Sequence, residues 1–271
     1  MGKKEKHRQD LVDLLEEFIV TGDAARLTEY IVSNSNLPGR RANLELADAF
    51  GDLVEDFPER AQERLWELCV SMTEISADDA PVNAPREFIP FCGAIGVGTL
   101  GSASSRFFDR ALTTLRALAH DPRWRMREAV RFGLQRLLAK RSRDTLATLK
   151  GWVGNGDLLE VRAVAATVAE PTMLTDRETA LAALQLHREI IDRLLKVRER
   201  KSEDFRILRK ALGYTVSVVV CAVPQEGFAF MAQLVDSQDS DVRWIVTENL
   251  KKNRLVKSFP DQVRSVKVLL E

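Results

Sequence analysis

The residues of this sequence best suited to bind a ligand are basic side chains that recur with helical spacing. Eight arginines and lysines lie within residues 123–143. Side chains four positions apart are neighbours on a helix, so Arg123, Arg127 and Arg131 would form a basic stripe on one face. Such a stripe can neutralise phosphates, and the resulting binding weakens with salt. The alternative is a set of solvated helix faces whose cations pair with local acids such as Glu128.

Positive charge is concentrated in the second half of the chain. Residues 1–120 carry 13 Lys and Arg against 20 Asp and Glu, and residues 121–271 carry 27 against 20. The net charges of the two halves are therefore −7 and +7, although the whole chain is neutral. Further basic clusters, one of which includes Arg206 and Lys210, contribute to the second half. A basic half suits nucleic acid or an acidic protein as a partner.

A glycine pattern at residues 96–101 suggests a different chemistry. The segment Gly-Val-Gly-Thr-Leu-Gly fits G-x-G-x-x-G, the dinucleotide-binding fingerprint, in which glycines let the backbone approach a pyrophosphate. That fingerprint requires a preceding strand, whereas residues 86–95 have a helical pattern. We therefore expect these glycines to allow close helix packing, and we expect no nucleotide cofactor.

Histidines and cysteines are too scattered to form a recognisable catalytic or metal-binding set. The three histidines lack a Ser, Cys or carboxylate partner at a telling spacing, and the three cysteines lack a second Cys or His at metal-ligand spacing. We predict no metal and no cofactor, and reduced core thiols in a cytoplasmic protein. The residues concerned are His7, His120, His187, Cys69, Cys92 and Cys221.

Helices are the elements that must position these side chains. Apolar residues make up 45% of the chain and charged residues 30%, as in long amphipathic helices, and alternating strand patterns are scarce. Helix-start signals include proline in a first turn, as in Asp121-Pro122. We predict an all-α protein with helices at residues 8–20, 23–34, 40–56, 58–75, 85–100, 104–119, 122–140, 142–153, 157–169, 176–200, 203–222, 225–237, 240–252 and 260–270.

No Gly/Ser-rich or Pro-rich linker divides the chain. We predict a solvated basic tail at residues 1–9 and a single domain over residues 10–271, acidic up to about residue 120 and basic from about residue 121. The longest apolar stretch, residues 215–223, is far shorter than the roughly 18 residues of a membrane span. We therefore expect no membrane association.

Six arginines recur near the predicted starts of helices, at intervals of 45, 41, 35, 44 and 37 residues. An apolar residue follows three positions later in five cases, and an acid precedes the arginine in the later repeats, as in Asp157 before Arg162. This pattern resembles the HEAT-repeat signature. The resemblance implies a right-handed α-solenoid of about six two-helix repeats with an extended concave surface. The six are Arg41, Arg86, Arg127, Arg162, Arg206 and Arg243.

In HEAT proteins the turn acid and the helix-start arginine bond within and between repeats. The resemblance therefore implies a structural role for these six arginines, although those of the basic half could also border a binding groove. Our leading hypothesis is a non-catalytic scaffold that binds a protein or nucleic acid on its concave surface. Three tryptophans are expected in the core, namely Trp66, Trp152 and Trp244.

A second stretch, Lys210-Ala211-Leu212-Gly213-Tyr214, resembles a Lys-Ala-Ile-Gly-Trp run of HEAT-like alkylpurine DNA glycosylases. The Trp-x-x-x-Asp catalytic motif of that family is similar to Trp124-Arg125-Met126-Arg127-Glu128, with Glu in place of Asp. The resemblance implies that Glu128 would stabilise a cationic transition state, with Trp124 and Tyr214 flanking the lesion. Arg162 and Lys210 would then contact the DNA backbone. DNA binding or base excision is thus the alternative hypothesis, with Arg123, Arg127, Arg131, Arg162, Arg206 and Lys210 as candidate binding residues.

Overall fold

The chain is all helical, which confirms the all-α prediction. The computed structural model describes residues 2–271, and no strand occurs among them. Two short 3-10 helices cover Pro85–Glu87 and Pro171–Met173. Within the same residues, no helix is long and apolar enough to cross a bilayer. The α-helices are α1 (Lys3–Thr21), α2 (Ala25–Ser33), α3 (Leu44–Asp56), α4 (Glu59–Thr73), α5 (Phe88–Ala103), α6 (Ser105–Leu118), α7 (Trp124–Lys140), α8 (Ser142–Asn155), α9 (Leu158–Val168), α10 (Arg177–Leu195), α11 (Glu203–Ala222), α12 (Pro224–Asp236), α13 (Ser240–Leu250), α14 (Asn253–Ser258) and α15 (Pro260–Leu270).

Two of the acids that precede later repeat arginines, Asp157 and Asp239, serve as helix N-caps. The Asp157 carboxylate accepts hydrogen bonds from the backbone N–H groups of Leu159 (2.9 Å) and Glu160 (3.0 Å), and Glu160 completes a capping box. Asp239 caps α13 in the same way, at 3.0 and 3.1 Å. These side chains satisfy N–H groups that a helix cannot pair internally, and so they set where α9 and α13 begin.

Residues 3–9, expected to form a solvated tail, are the first two turns of α1. Their basic side chains lie against acidic residues of α3. Lys4 pairs with Asp48 and with Asp52, where the Nζ to Oδ2 distance is 2.6 Å. Arg8 pairs with Asp56. The predicted helix at residues 8–20 lacked these first turns because the charges that stabilise them lie more than 40 residues away in the chain.

The chain divides into two compact units, Met1–Thr145 and Leu146–Glu271, whereas one domain over residues 10–271 was predicted. In the first unit, α1 packs on α3, α3 on α5, and α5 on α7. The central helix α5 is buried from Phe88 to Ser102. A side chain at Gly98 would collide with the backbone of Gly133 on α7, so the glycine pattern permits close helix packing. It lies inside a buried helix and forms no phosphate-binding loop.

The core of the first unit also contains two of the cysteines. Cys69 and Cys92 are free and completely buried. Burial raises the pKa of both thiols because the thiolate would lose its hydration. They therefore act as small apolar core residues, as expected from the sequence.

In the second unit α9 packs on α11, α11 on α13, and α13 on α15. A buried asparagine ties α13 to α11: Asn249 accepts a hydrogen bond from the backbone N–H of Ser217 (2.7 Å) and donates one to the carbonyl of Leu212 (2.8 Å). His187 of α10 lies 3.0 Å from the Thr215 hydroxyl of α11 and 2.9 Å from the Ala183 carbonyl. Asn249 and His187 are thus paired inside this unit, which avoids the cost of burying them unsatisfied.

Candidate functional site

Arg123 is a structural residue and does not face a groove. It is the N-cap of α7 and is 2% exposed. Its guanidinium pairs with Asp121 at 2.6 and 2.9 Å. The same group donates to the carbonyls of Ile75, Ser76 and Ala80 at 3.0 to 3.2 Å. All five guanidinium donors of Arg123 are therefore used inside the protein, and none is left for a phosphate.

Most of the remaining cations of the basic run are bonded to groups within the protein, several of them on α3. Arg127 donates to the carbonyls of Asp121 (2.8 Å) and Pro122 (3.0 Å). Arg136 pairs with Asp52 at 2.9 Å and with Asp48 at 2.6 Å, and Lys140 pairs with Glu55. The stripe of positions 123, 127 and 131 is therefore broken. Paired cations, the alternative considered from the sequence, describe this run better.

Arg125, a residue not selected from the sequence, holds two loops together inside the first unit. Its side chain is buried and pairs with the buried carboxylate of Glu87 at 3.1 Å. It also donates to the Gly39 carbonyl at 2.6 Å and to the Asn83 side-chain oxygen at 3.1 Å. The same Asn83 oxygen accepts the Gly39 N–H at 3.0 Å. The segment that follows Gly39 is therefore fixed relative to α7.

An open cavity of about 320 Å³ lies beside this network in the first unit. Its volume is at the lower end of small-molecule sites, which span about 300 to 1,000 Å³. Three aromatic rings and four guanidinium groups line it together with a single carboxylate. The lining residues are Arg40, Arg41, Ala42, Leu44, Phe91, Trp124, Arg125, Glu128, Arg131 and Phe132.

Aromatic rings and guanidinium groups are stacked along one wall of this cavity. Trp124 is 46% exposed, and the Arg125 guanidinium lies 4.4 Å from its ring centroid. The Arg131 guanidinium lies 3.9 Å from the Phe132 centroid, and Phe132 meets Phe91 at 6.0 Å. Arginine stacked on one face holds each ring in place by a cation–π interaction. Trp124 therefore presents a fixed, partly exposed aromatic surface to the cavity.

The charge of the lining is positive. Four arginines face one carboxylate, Glu128, and Arg131 Nε lies 3.3 Å from Glu128 Oε2. Trp124 and Glu128, which the glycosylase resemblance pairs, both line this one cavity. The arrangement can accept a planar ring against Trp124 and an anion against the arginines. The sequence did not single out Arg40, Phe91 or Phe132. The packing of α5 on α7 brings Phe91 and Phe132 to this cavity, and the bond from Arg125 to the Gly39 carbonyl places Arg40 there.

The candidate binding residues of the second unit lie on two helices, α9 and α11. Arg162 is 7% exposed within α9, as a structural arginine would be. Arg206, Lys210 and Tyr214 are exposed and lie four residues apart on α11, so they share one face. Tyr214 is 38% exposed and does not lie in the core. Arg206 is 3.4 Å from Glu203, an exposed ion pair that leaves the guanidinium open to water.

Trp244 of α13 shares a short pattern with Trp124 that the sequence analysis missed. Asp121-x-Arg-Trp-x-x-x-Glu128 and Asp241-x-Arg-Trp-x-x-x-Glu248 have identical residues at four positions. Trp244 also has a stacked arginine, since the Arg209 guanidinium lies 3.8 Å from its centroid. Trp66 and Trp152 are core residues as expected, whereas Trp244 is half-buried.

Comparisons with known proteins identify no family for this chain. No protein-family model matches the sequence, and no curated protein matches it significantly. Function must therefore be inferred from the residues of the site itself, above all from the cavity beside Trp124.

Proposed function

We propose that this protein is a non-catalytic, right-handed HEAT-type α-solenoid of about six repeats that binds nucleic acid. The observation that carries this proposal is the partly exposed ring of Trp124, held on Arg125 in a cavity lined by four arginines. Proteins that bind single strands combine such stacking surfaces with cations that follow the backbone. An unstacked base would lie on Trp124, and phosphates would lie against the neighbouring arginines.

The helix packing supports the solenoid part of the proposal. Within each unit the odd-numbered helices pack in chain order, and even-numbered helices such as α4, α6, α10 and α12 cover them. Two-helix repeats stacked in this way bury one shared core. The Asp157 and Asp239 caps stand where the HEAT signature places its turn acid.

The exposed face of α11 supports nucleic acid over an acidic protein. Arg206, Lys210 and Tyr214 place an aromatic ring in line with two cations. Together with the Trp124 cavity, this gives each unit an exposed aromatic residue next to basic residues. Base stacking uses that combination, whereas a purely acidic partner would need only the charges.

Binding to fluorescent single-stranded oligonucleotides, measured across a salt series, tests the proposal. We expect an affinity that falls steeply with salt, because bound cations release counterions from the strand. Trp124→Ala should weaken binding about ten-fold, since stacking contributes about 1 to 3 kcal/mol per base. Phe108→Ala, at a half-buried aromatic residue of α6 outside the cavity, is the matched control and should leave binding unchanged. The absence of binding at low salt would refute the proposal.

DNA glycosylase activity is the second candidate function, favoured by the presence of Trp124 and Glu128 in one cavity. A carboxylate there could stabilise the cationic sugar that forms as an alkylated base leaves. Glutamate is one methylene longer than the aspartate of the family motif, and misplacement of about 1 Å can cost about 100-fold in rate. Release of a methylated base from duplex DNA, abolished by Glu128→Gln, would support the enzyme. Binding without release would support the non-catalytic protein.

A further inference from the structure

The mouth of the Trp124 cavity contains two consecutive arginines without partners. Arg40 and Arg41 are exposed, and within residues 2–271 their side chains form no hydrogen bond or ion pair. Both line the cavity. Arg136 and Lys140 of the same unit, by contrast, pair with Asp52 and Glu55. Two adjacent guanidiniums left unpaired beside a cavity form a strong potential anion site.

Helix geometry adds to the positive field at this place. Leu44 and Trp124 are the first residues of α3 and α7, and both line the cavity. The N-terminus of a helix carries about half a positive charge and unpaired N–H groups. The first turn of α7 holds no acidic side chain, and the Asp121 carboxylate that precedes it is paired with Arg123. The first turn of α3 contains Glu45, so α7 contributes the larger part of this field.

A buried arginine fixes the geometry of the segment beside the cavity. Arg125 is 4% exposed and lines the cavity, and its Nε atom has no hydrogen-bond partner among the described residues. Its other nitrogens hold the Gly39 carbonyl and the Asn83 side chain, which fixes the loop immediately before Arg40. The anion site is thus preorganised: the two free arginines follow a loop anchored by a buried ion pair.

We propose that Arg40, Arg41 and the start of α7 recognise a terminal phosphomonoester, so that the cavity binds the phosphorylated end of a nucleic-acid strand. This inference rests on the proposed nucleic-acid function. A phosphomonoester carries about −1.5 to −2 charges at pH 7, whereas each phosphodiester within a strand carries one. Two unpaired guanidiniums and a helix N-terminus match the larger charge, and a cavity of about 320 Å³ holds one nucleotide-sized group.

A phosphotyrosine peptide offers a ring and a phosphomonoester as well, but it fits the lining less well. Glu128 supplies a carboxylate that can accept hydrogen bonds from base N–H groups. The phenyl ring of phosphotyrosine has no N–H donor, so its contact with the negatively charged Glu128 carboxylate would be unfavourable. The chemistry of the whole cavity therefore favours a nucleotide.

The test compares one fluorescent single-stranded oligonucleotide in two forms, with a 5′-phosphate and with a 5′-hydroxyl, on the full chain. We expect the phosphorylated form to bind at least five-fold tighter at pH 7.5, and the preference to shrink at pH 5.5. The second ionisation of a phosphomonoester has a pKa of about 6, so the ligand loses charge over this range. Affinities for a 3′-phosphorylated oligonucleotide and for free nucleoside monophosphates show which end of the strand is recognised, and whether a single nucleotide is enough for binding.

The Arg40→Gln/Arg41→Gln variant should remove the preference for the phosphate, so that the two strands bind with affinities within two-fold of each other. Both strands should bind more weakly than they bind the native protein, because two cations of the cavity are lost. Both residues are exposed, so we expect the variant to remain folded, and circular dichroism checks this. Arg60→Gln, at an exposed arginine of α4 outside the cavity, is the matched control and should keep the preference. Equal affinity of the native protein for both strands would overturn this inference alone, whereas binding to neither would overturn the proposed function as well. Tighter binding of a phosphotyrosine peptide than of the phosphorylated strand would also overturn it.

Discussion

Trp124 in the first unit and Trp244 in the second stand in the same Asp-x-Arg-Trp-x-x-x-Glu pattern, yet their surroundings differ. Trp124 is the first residue of α7, is 46% exposed and lines an open cavity. Trp244 lies four residues after the first residue of α13, is half-buried, and would approach a Cβ at Gly213 to 3.0 Å. The point at which the helix begins therefore decides whether this tryptophan faces solvent or packs on a neighbouring helix.

The arginines stacked on these two rings differ in the same way. Arg125 pairs with the fully buried Glu87, whereas Arg209 lies 2.7 Å from the partly exposed Asp241. Removing one partner of a buried ion pair leaves the other charge without water or a counterion, and this costs far more than losing an exposed pair. The first region thus depends on a buried ion pair, whereas the second depends on a partly exposed one.

The largest effect should come from Arg125→Ala. We expect the free energy of unfolding to fall by about 3 to 5 kcal/mol, because Glu87 is left buried and unpaired. The equivalent change in the second unit, Arg209→Ala, should cost about 1 kcal/mol or less. Urea unfolding followed by circular dichroism measures both. Similar losses for the two variants would show that the burial of Glu87 does not distinguish the regions.

Acid should weaken the second unit more than the first. Burial lowers the pKa of His187 to about 4, since the charged imidazole would lose its hydration. Burial also lowers the pKa of His7, which lies 2.8 Å from the Tyr30 hydroxyl. The unfolded chain therefore binds more protons, and stability is lost as the pH falls below about 6.5, by about 3 kcal/mol from His187 near pH 4.

Hydrogen exchange at pH 7 and pH 4.5, followed separately in α10 and α1, measures this pH effect. His187→Gln should flatten the pH dependence of α10, and His7→Gln, the matched change in the first unit, should affect only α1. Stability in α10 that does not change between these pH values would contradict the prediction.

The two tryptophans should rank in opposite order for stability and for oligonucleotide binding. Trp244→Ala should lower the free energy of unfolding by about 2 kcal/mol, because it opens a cavity against Gly213 of α11. Trp124→Ala should cost less than about 1 kcal/mol, since much of its ring already faces water. Oligonucleotide binding should show the reverse order, with the loss confined to Trp124→Ala. If the same substitution caused the larger loss both in the free energy of unfolding and in oligonucleotide affinity, the prediction would be contradicted.

The smallest effect should come from Arg206→Gln on the exposed face of α11. Its ion pair with Glu203 is solvated, so stability should change by less than about 0.5 kcal/mol. If this face contacts the strand, the slope of log affinity against log salt should fall by about one. A calorimetric melt and a salt titration check the two parts, and Glu203→Gln provides the control with the opposite change in charge.

The helical elements could be predicted because their signals are local. Apolar periodicity, capping acids and first-turn prolines act within a few residues, so most predicted helices agree with the structure to within a few positions. The expected packing role of the glycine pattern agrees with the position of Gly98 inside α5. The first turns of α1 were missed since their ion partners Asp48, Asp52 and Asp56 are distant in sequence.

The candidate site was less predictable. The resemblance placed Trp124 and Glu128 one helical turn apart, and both line the same cavity. Nothing in the local pattern separates Arg123, whose donors are all bonded, from Arg41, whose side chain has no hydrogen-bond or ion-pair partner among residues 2–271. Their positions follow from partners such as Ser76 and Ala80, more than 40 residues from Arg123 in the chain.

The amino-acid sequence by itself thus determined the class of fold, the sites of helix initiation and the uneven distribution of charge, because each depends on neighbouring residues or on composition alone. Tertiary structure decided which arginine side chains are bonded within the protein and which remain available to a ligand. That choice depends on burial and on carbonyl and carboxylate partners from distant segments, as the buried Arg125–Glu87 pair beside the unpaired Arg40 and Arg41 illustrates.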